Sequence, residues 1–283
     1  QAIRKLEEDL DLGLIVRGHR FVSLTPEGEK VLHWGRQILS DYESLHDDLS
    51  GKTKGGLTGT LRLGVIPAAM PAVSFLSHQF EDRNPLVQIE IRSMSSRVIE
   101  RSLENFEIDG GITYLDNEPL ENVRRFPLYH ERYVFACRND HPLAGGETVT
   151  WAQAVKEPLC LLSDDMQNRR ILNGIAASAG LDLRPKVVSN SFLGVASHLR
   201  LGFWCAIVPH TFGFVFGGTE DLVLLDMIEP VHQQTIGLVL ANRLPQSPIA
   251  LALQDCAEKA DIERRFESMF ARSDLEPSKK PAR

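Results

Sequence analysis

The chain holds 283 residues, 43% of them hydrophobic and 24% charged, with a formal net charge of −7. That is enough apolar material for one large or two to three ordinary cores, and it excludes a protein coated all over in the positive charge that nucleic acid attracts. No apolar run reaches the roughly eighteen residues a membrane-crossing helix needs, so no membrane partner is expected; four scattered cysteines and a charged, helical N-terminus predict a reducing cytoplasm.

Gln1 to Leu12 is periodic from its first residue, with Ile3, Leu6 and Leu10 on one helical face and no capping residue ahead of them. The reading is of a helix entered part-way. Leu14-Ile15-Val16 and Phe21-Val22-Ser23-Leu24 read as two short strands around the positive turn Arg17-Gly18-His19-Arg20, and a basic hairpin after a helix is a wing. From Glu29 to Leu49, the residues Val31, Gly35, Ile38, Tyr42, Leu45 and Leu49 recur at alternating steps of four and three, the seam of a coiled coil. Such a helix spans roughly 30 Å at about 1.5 Å per residue. A surface helix packed on its own domain is the plainer alternative. The glycine-rich, charged stretch from Gly51 to Gly56 predicts a hinge over 51–58.

Beyond the hinge, strands at Gly59–Ile66, Val87–Ile91 and Asp109–Tyr114 alternate with helices at Ala72–Phe80 and Ser96–Phe106. A second set follows: strands at Tyr133–Cys137, Leu159–Leu162 and Lys186–Ser189, helices at Met166–Ala179 and Phe192–Leu201. This alternation predicts parallel sheets covered on both faces and hence two α/β lobes. A strand at Thr235–Ala241 and one helix from Ile249 through Phe270 return to the first lobe, and Asp274–Arg283 reads as a disordered tail.

Ligands of open α/β sheets settle beyond the carboxyl ends of strands, where helix N-termini present unpaired N–H groups and a positive dipole end. Four segments meet that description: Pro67-Ala68-Ala69, Ser95-Ser96, Ser163-Asp164, and Asn190-Ser191 with Phe192 opening the next helix. Small or hydroxylated side chains allow close approach, which suits a compact effector with an anionic group. Ser96, Ser163 and Ser191 read equally as simple helix caps. Cys137, Cys160, Cys205 and Cys256 stand in apolar or helical contexts, with only Arg138 as a neighbouring cation, and are read as inert. The nine histidines are dispersed, so no metal is assigned; no nucleophile elbow, phosphate loop or dinucleotide fingerprint appears, so neither a cofactor nor an enzyme is expected.

The order of these pieces resembles the LysR-type transcriptional regulators. Members carry a recognition-helix tail of the form R-Q-I-R-R-L-E-E-E-L-G, then a wing, then L-T-P-A-G opening a long helix; this chain reads Q-A-I-R-K-L-E-E-D-L-D at Gln1 to Asp11 and L-T-P-E-G at Leu24 to Gly28. The likeness is specific over about thirty residues and diffuse but continuous in order over most of the rest. Gly202 to Pro209 resembles the family's G-L-G-I-A-L-L-P segment, with a bulkier Phe203-Trp204 that either narrows the cleft or sits in the core. Asp11 replaces the usual helix-ending glycine and Val16 an acidic residue.

The resemblance implies an α/β chain with a partial winged helix-turn-helix (1–28), a linker and dimerisation helix (29–50), a hinge (51–58), and a periplasmic-binding-protein-like effector domain (59–270). Its lobe I would comprise 59–129 and 231–270, its lobe II 130–230, with a tail at 271–283. It implies promoter DNA bound through a complete N-terminal domain, a homodimer or homotetramer, a small effector, and RNA polymerase as a further partner. Gln1, Arg4 and Lys5 on the helix and Arg17, His19 and Arg20 on the wing are then the DNA-facing candidates: glutamine can pair with adenine, the cations meet phosphates, and wing arginines suit a narrow minor groove. Glu7, Glu8, Asp9 and Asp11 cancel the local charge, so a solvated helix is the alternative. Half a helix-turn-helix cannot fold its own core, so the chain is expected to dimerise and bind effector while binding DNA poorly. A free-standing solute-binding protein of a transport system is the rival reading, and an enzyme using a cleft acid such as Asp164 the third.

Overall fold

The computed structural model describes residues 1–17, 21–54, 56–217 and 221–273. Helix α1 (Ala2–Leu10) ends at Asp11, whose φ of 52° puts it in the left-handed region while its N–H meets the Glu7 and Glu8 carbonyls. An aspartate therefore supplies the cap that glycine usually provides, since Asp tolerates that conformation. Strands β1 (Ile15–Arg17) and β2 (Phe21–Leu24) pair antiparallel. His19 and Arg20 lie outside the described residues.

The L-T-P-E-G segment starts the long helix α2 (Pro26–Lys54) by a definite set of bonds. The Gly28 N–H donates to Thr25 Oγ1 at 2.9 Å, and that hydroxyl donates to the Gly13 carbonyl at 2.7 Å. A Cβ at Gly28 would lie 2.1 Å from the Leu14 carbonyl oxygen, so only glycine lets the helix start press against the hairpin. Helix α2 runs through Gly51 to Lys54, whereas the expected hinge began at 51. One glycine costs a helix about 1 kcal/mol, too little to end one this long.

The body then runs β3 (Gly59–Val65), a 3-10 turn (Pro67–Ala69), α3 (Met70–Arg83), β4 (Val87–Ser93), α4 (Ser96–Glu104), β5 (Gly110–Tyr114) and β6 (Val123–Arg138). It continues through β7 (Thr148–Thr150), α5 (Trp151–Ala154), β8 (Cys160–Leu162), α6 (Gln167–Ser178), β9 (Val187–Ser189), α7 (Phe192–Arg200), β10 (Ala206–Pro209), α8 (Phe212–Phe216), β11 (Leu222–Ile228), β12 (Gln233–Ala241), α9 (Pro248–Lys259) and α10 (Ile262–Ser273). Strand β3 is parallel to β4 and β5, as expected, but β12 is antiparallel to both β5 and β6. The sheet is mixed rather than wholly parallel.

The sixteen residues of β6 tie the lobes together. Val123–Arg132 pairs with β12, and Tyr133–Arg138 pairs with β10 and β11. Only its second half is apolar enough to read as a strand. The expected single helix from Ile249 to Phe270 is two, because Asp261 takes φ 45° between α9 and α10. The break lets Ile262 and Phe266 both bury, Phe266 packing edge-on against Phe75 and Tyr129. Burial of two such side chains is worth roughly 3–6 kcal/mol, which exceeds the cost of one left-handed residue.

Candidate functional site

Two cavities open at the strand ends between the lobes. The larger, about 290 Å³, takes Pro67 and Ala68 from the turn after β3, Ser93 from β4, Asn190, Ser191 and Phe192 at the start of α7, and Thr211, Phe212 and Phe216 around α8. Among the described residues, no charged side chain lines it. The smaller, about 10 Å³, is shared by Pro67, Ala68, Ser95, Ser96, Tyr114, Gln167 and Asn168. Seven of the ten expected effector residues thus meet at these two openings. Ala69 is fully buried in the core, and Ser163 and Asp164 line neither cavity; Asp164 is exposed and faces Arg169 at 3.4 Å.

Capping accounts for one of the three candidate serines. Ser191 Oγ accepts from the Leu193 N–H at 3.2 Å, whereas α4 and α6 have no side-chain cap. Their first N–H groups, from opposite lobes, therefore remain positive ends at the narrow opening.

Behind that opening lies a buried polar chain that the strand-end argument missed. Asn168 Nδ2 on α6 donates to the Tyr114 hydroxyl at 3.0 Å, and Tyr114 at the end of β5 donates to Glu131 Oε1 at 2.6 Å. Burial pushes the Glu131 carboxyl up to about 8, although the Tyr114 and Tyr133 hydroxyls pull the other way. Tyr133 stands close enough to act electrostatically, yet its hydroxyl and Glu131 Oε2 make no hydrogen bond of acceptable geometry. At neutral pH Glu131 is thus a neutral acid on the strand shared by both lobes. A signal was present in the sequence: Tyr129, Glu131 and Tyr133 alternate with His130 and Arg132 at strand period. Two further contacts cross between lobes, Arg170 to Glu118 and Thr211 Oγ1 to the Ala68 carbonyl at 3.4 Å.

The four cysteines are free and buried. Burial pushes the thiols of Cys137 and Cys160 up to about 11 and that of Cys205 up to about 12. Folded protein at pH 8 is therefore expected to show no fast-reacting thiol with a chromogenic disulfide, while all four react in denaturant; a fast native thiol would contradict the burial. Cys205 also meets His141 and Glu157, their ligand atoms all within 4.8 Å, a group that spacing along the chain did not reveal. The Leu143 N–H bonds His141 Nδ1 at 3.2 Å, which places the imidazole proton on Nε2, facing Glu157 at 3.4 Å. That nitrogen is a donor and offers no lone pair to a metal.

At the other end, Gln1, just ahead of α1, and Arg4 and Lys5 on it stand together on the exposed surface, with Glu8 and Asp9 beside them. Arg17 closes β1. Helix α2 is joined to the body by Arg36–Glu107 at 2.7 Å, by Arg243 reaching Ser40 at 3.2 Å and Asp41 at 3.4 Å, and by the Arg243 guanidinium over the Phe106 ring.

A helix and hairpin on a long helical stalk, followed by a two-lobed α/β body with a cleft at its strand ends, define a ligand-sensing regulator. Residues 54–261 match the family described as the LysR substrate binding domain, and the chain belongs to the LysR family. The DNA-binding transcriptional dual regulator OxyR of Escherichia coli K12 is 26% identical over 276 residues, 95% of this chain and 87% of that one. Among solved structures, a full-length OxyR point variant from Pseudomonas aeruginosa superposes with a TM-score of 0.73 at 19% identity, covering 93% of this chain and 85% of that one. Full-length CbnR complexed with its target DNA gives 0.67 at 17% identity, covering 91% and 88%. The architecture is that of a LysR-type, ligand-responsive transcriptional regulator, and the transport-binding alternative is set aside.

Proposed function

We propose that a small metabolite bound between the lobes controls this regulator, with its body in the 290 Å³ cavity and an anionic group toward the N-termini of α4 and α6. The observation that carries this reading is the convergence of Pro67, Ala68, Asn190, Ser191 and Phe192, from opposite lobes, on one uncharged cavity. Its size lies at the low end for ligand sites, which suits a compact, largely apolar molecule. Binding would change the angle between lobes, and the Arg36 and Arg243 contacts would carry the change to α2. Gln1, Arg4 and Lys5, with the wing residues Arg17, His19 and Arg20, would meet promoter DNA, and α2 would pair two copies, as a dimer or within a tetramer. On this reading residues 1–28 read DNA, 29–50 dimerise, and 59–270 sense the ligand without turning it over, in the cytoplasm, with RNA polymerase as a partner at the promoter.

A relative carries the name "Hydrogen peroxide-inducible genes activator". A thiol response needs an accessible thiolate, and the buried, raised thiols here favour ligand binding instead.

The test uses the cavity rim. Val215 lines the cavity yet is 53% exposed, so Val215→Trp should block it without disturbing the core. In a thermal-shift screen of small carboxylates, a ligand at a hundred times its Kd stabilises by about 2.7 kcal/mol. The variant is expected to lose at least tenfold in affinity for any such ligand; an unchanged shift would place the ligand elsewhere.

A further inference from the structure

The cleft already holds a carboxylate of its own. Glu118, on the loop following β5, accepts at Oε1 from Arg170 Nε at 2.8 Å and from Nη2 at 2.6 Å, while its Oε2 accepts from the Ser96 hydroxyl at 3.4 Å. Arg170 lies in the first turns of α6 and Ser96 opens α4, so a guanidinium from one lobe and a hydroxyl at a helix start of the other grip one anionic group. Arg170 does not depend on Glu118 for its orientation. Its remaining nitrogen, Nη1, is held by the backbone carbonyls of Asp164 at 3.2 Å and Asp165 at 2.7 Å, so Nε and Nη2 present a preset fork for a carboxylate.

The position is partly open to exchange, because the side chains of Arg170 and Glu118 are 26% and 29% exposed. It adjoins the narrow opening, where Gln167 is 4% exposed and its Oε1 has no partner. That opening, at about 10 Å³, holds no more than about one water. A ligand therefore reaches Ser96 and Gln167 only when the lobes separate, and separation pulls Glu118 and Arg170 apart.

We infer that Glu118 is a built-in counter-ligand: it fills the carboxylate position between Arg170 and Ser96, and a carboxylate effector exchanges with it there, releasing the ion pair that joins the lobes. The inference rests on the cleft reading above and adds to it the class of the head group, a carboxylate, and the residue that selects it, Arg170. The exchange is isoelectric. One carboxylate replaces another on the same guanidinium, so neither the closed state nor the ligand-bound state leaves the partly buried cation unpaired.

Acetate serves as the probe, in thermal melts of the full chain at matched ionic strength with sodium chloride as control. Glu118→Ala is expected to melt below the wild type and to regain about 2–4 °C in acetate but not in chloride, whereas the wild type, its position filled, shows no acetate-specific rise. Adding Arg170→Ala to Glu118→Ala should abolish the recovery. Glu118→Gln, which keeps the shape of the side chain, should show a smaller acetate rise of the same specificity. No acetate-specific recovery in either single variant, or an equal recovery with Arg170 removed, overturns the inference. Because the assay needs no effector, it is separate from the Val215→Trp test: recovery with an ineffective Val215→Trp would leave the carboxylate position standing and remove the cavity.

Discussion

Glu131→Gln should remove the loss of stability that Glu131 imposes on this protein between about pH 5 and pH 8. Glu131 is fully buried, and its carboxyl is pushed from 4.5 up to about 8 by burial. The sign follows from linkage: below 4.5 both folded and unfolded chains hold the proton, and between 4.5 and 8 only the folded chain does. Stability is therefore fully present at the acid end of that window and is lost as pH rises through it, by about 4–5 kcal/mol in all at roughly 1.4 kcal/mol per unit. His210, held down to about 4 chiefly by burial, works in the opposite sense, losing stability as pH falls from 6.5 toward 4. The comparison is accordingly between the two proteins at each pH. Glutamine keeps an acceptor for the Tyr114 hydroxyl and cannot ionise, so the variant should gain on the wild type steadily up to pH 8 in urea melts. Parallel curves for the two proteins would show that Glu131 does not carry a buried proton.

The second large effect concerns α2. Ile38, Tyr42, Leu45 and Leu49 are 65%, 66%, 57% and 55% exposed along one edge of a 29-residue helix, a patch that the described residues leave uncovered. If two copies pair along it, burying Ile38 and Leu45 contributes about 1.5–3 kcal/mol each. The double variant Ile38→Glu, Leu45→Glu should then weaken the dimer by at least about a thousandfold and sediment as a monomer at micromolar concentration. A variant as dimeric as the wild type would remove α2 as the pairing surface.

How far the sequence carried the reading depended on whether one segment's pattern could be interpreted without its neighbours. Helix α1, the hairpin strands and α2 were legible because periodicity, a basic turn and the L-T-P-E-G start are local signals, and Thr25 and Gly28 act through bonds to residues close in the chain. Strands β3, β4 and β5 were legible for the same reason. The first half of β6 was not, since Arg124, Arg125, His130 and Glu131 look like a surface loop until β12 supplies a partner along its length. The turn at Asp261 was hidden because Ile249 through Phe270 keeps a helical pattern across it; what breaks the helix is the place waiting for Phe266 beside Phe75 and Tyr129.

The candidate site divides along the same line. Small and hydroxylated residues after strands marked Pro67, Ala68, Ser95, Ser96, Asn190 and Ser191 as facing a cleft, because a strand end followed by a helix start is a local feature. Glu118, Arg170, Tyr114, Asn168 and Glu131 carried no such mark: Glu118 and Arg170 are 52 positions apart, and Tyr114 and Asn168 are 54 apart. Local propensity and hydrophobic period thus determined, from the chain alone, the kind and order of most elements, and the likeness of Gln1 to Asp11 and of L-T-P-E-G to known motifs pointed to the family. The tertiary structure alone decided the mixed direction of the sheet, the proton held on Glu131 and the ion pair across the cleft, because desolvation and charge pairing depend on which distant groups the fold brings within a few ångströms.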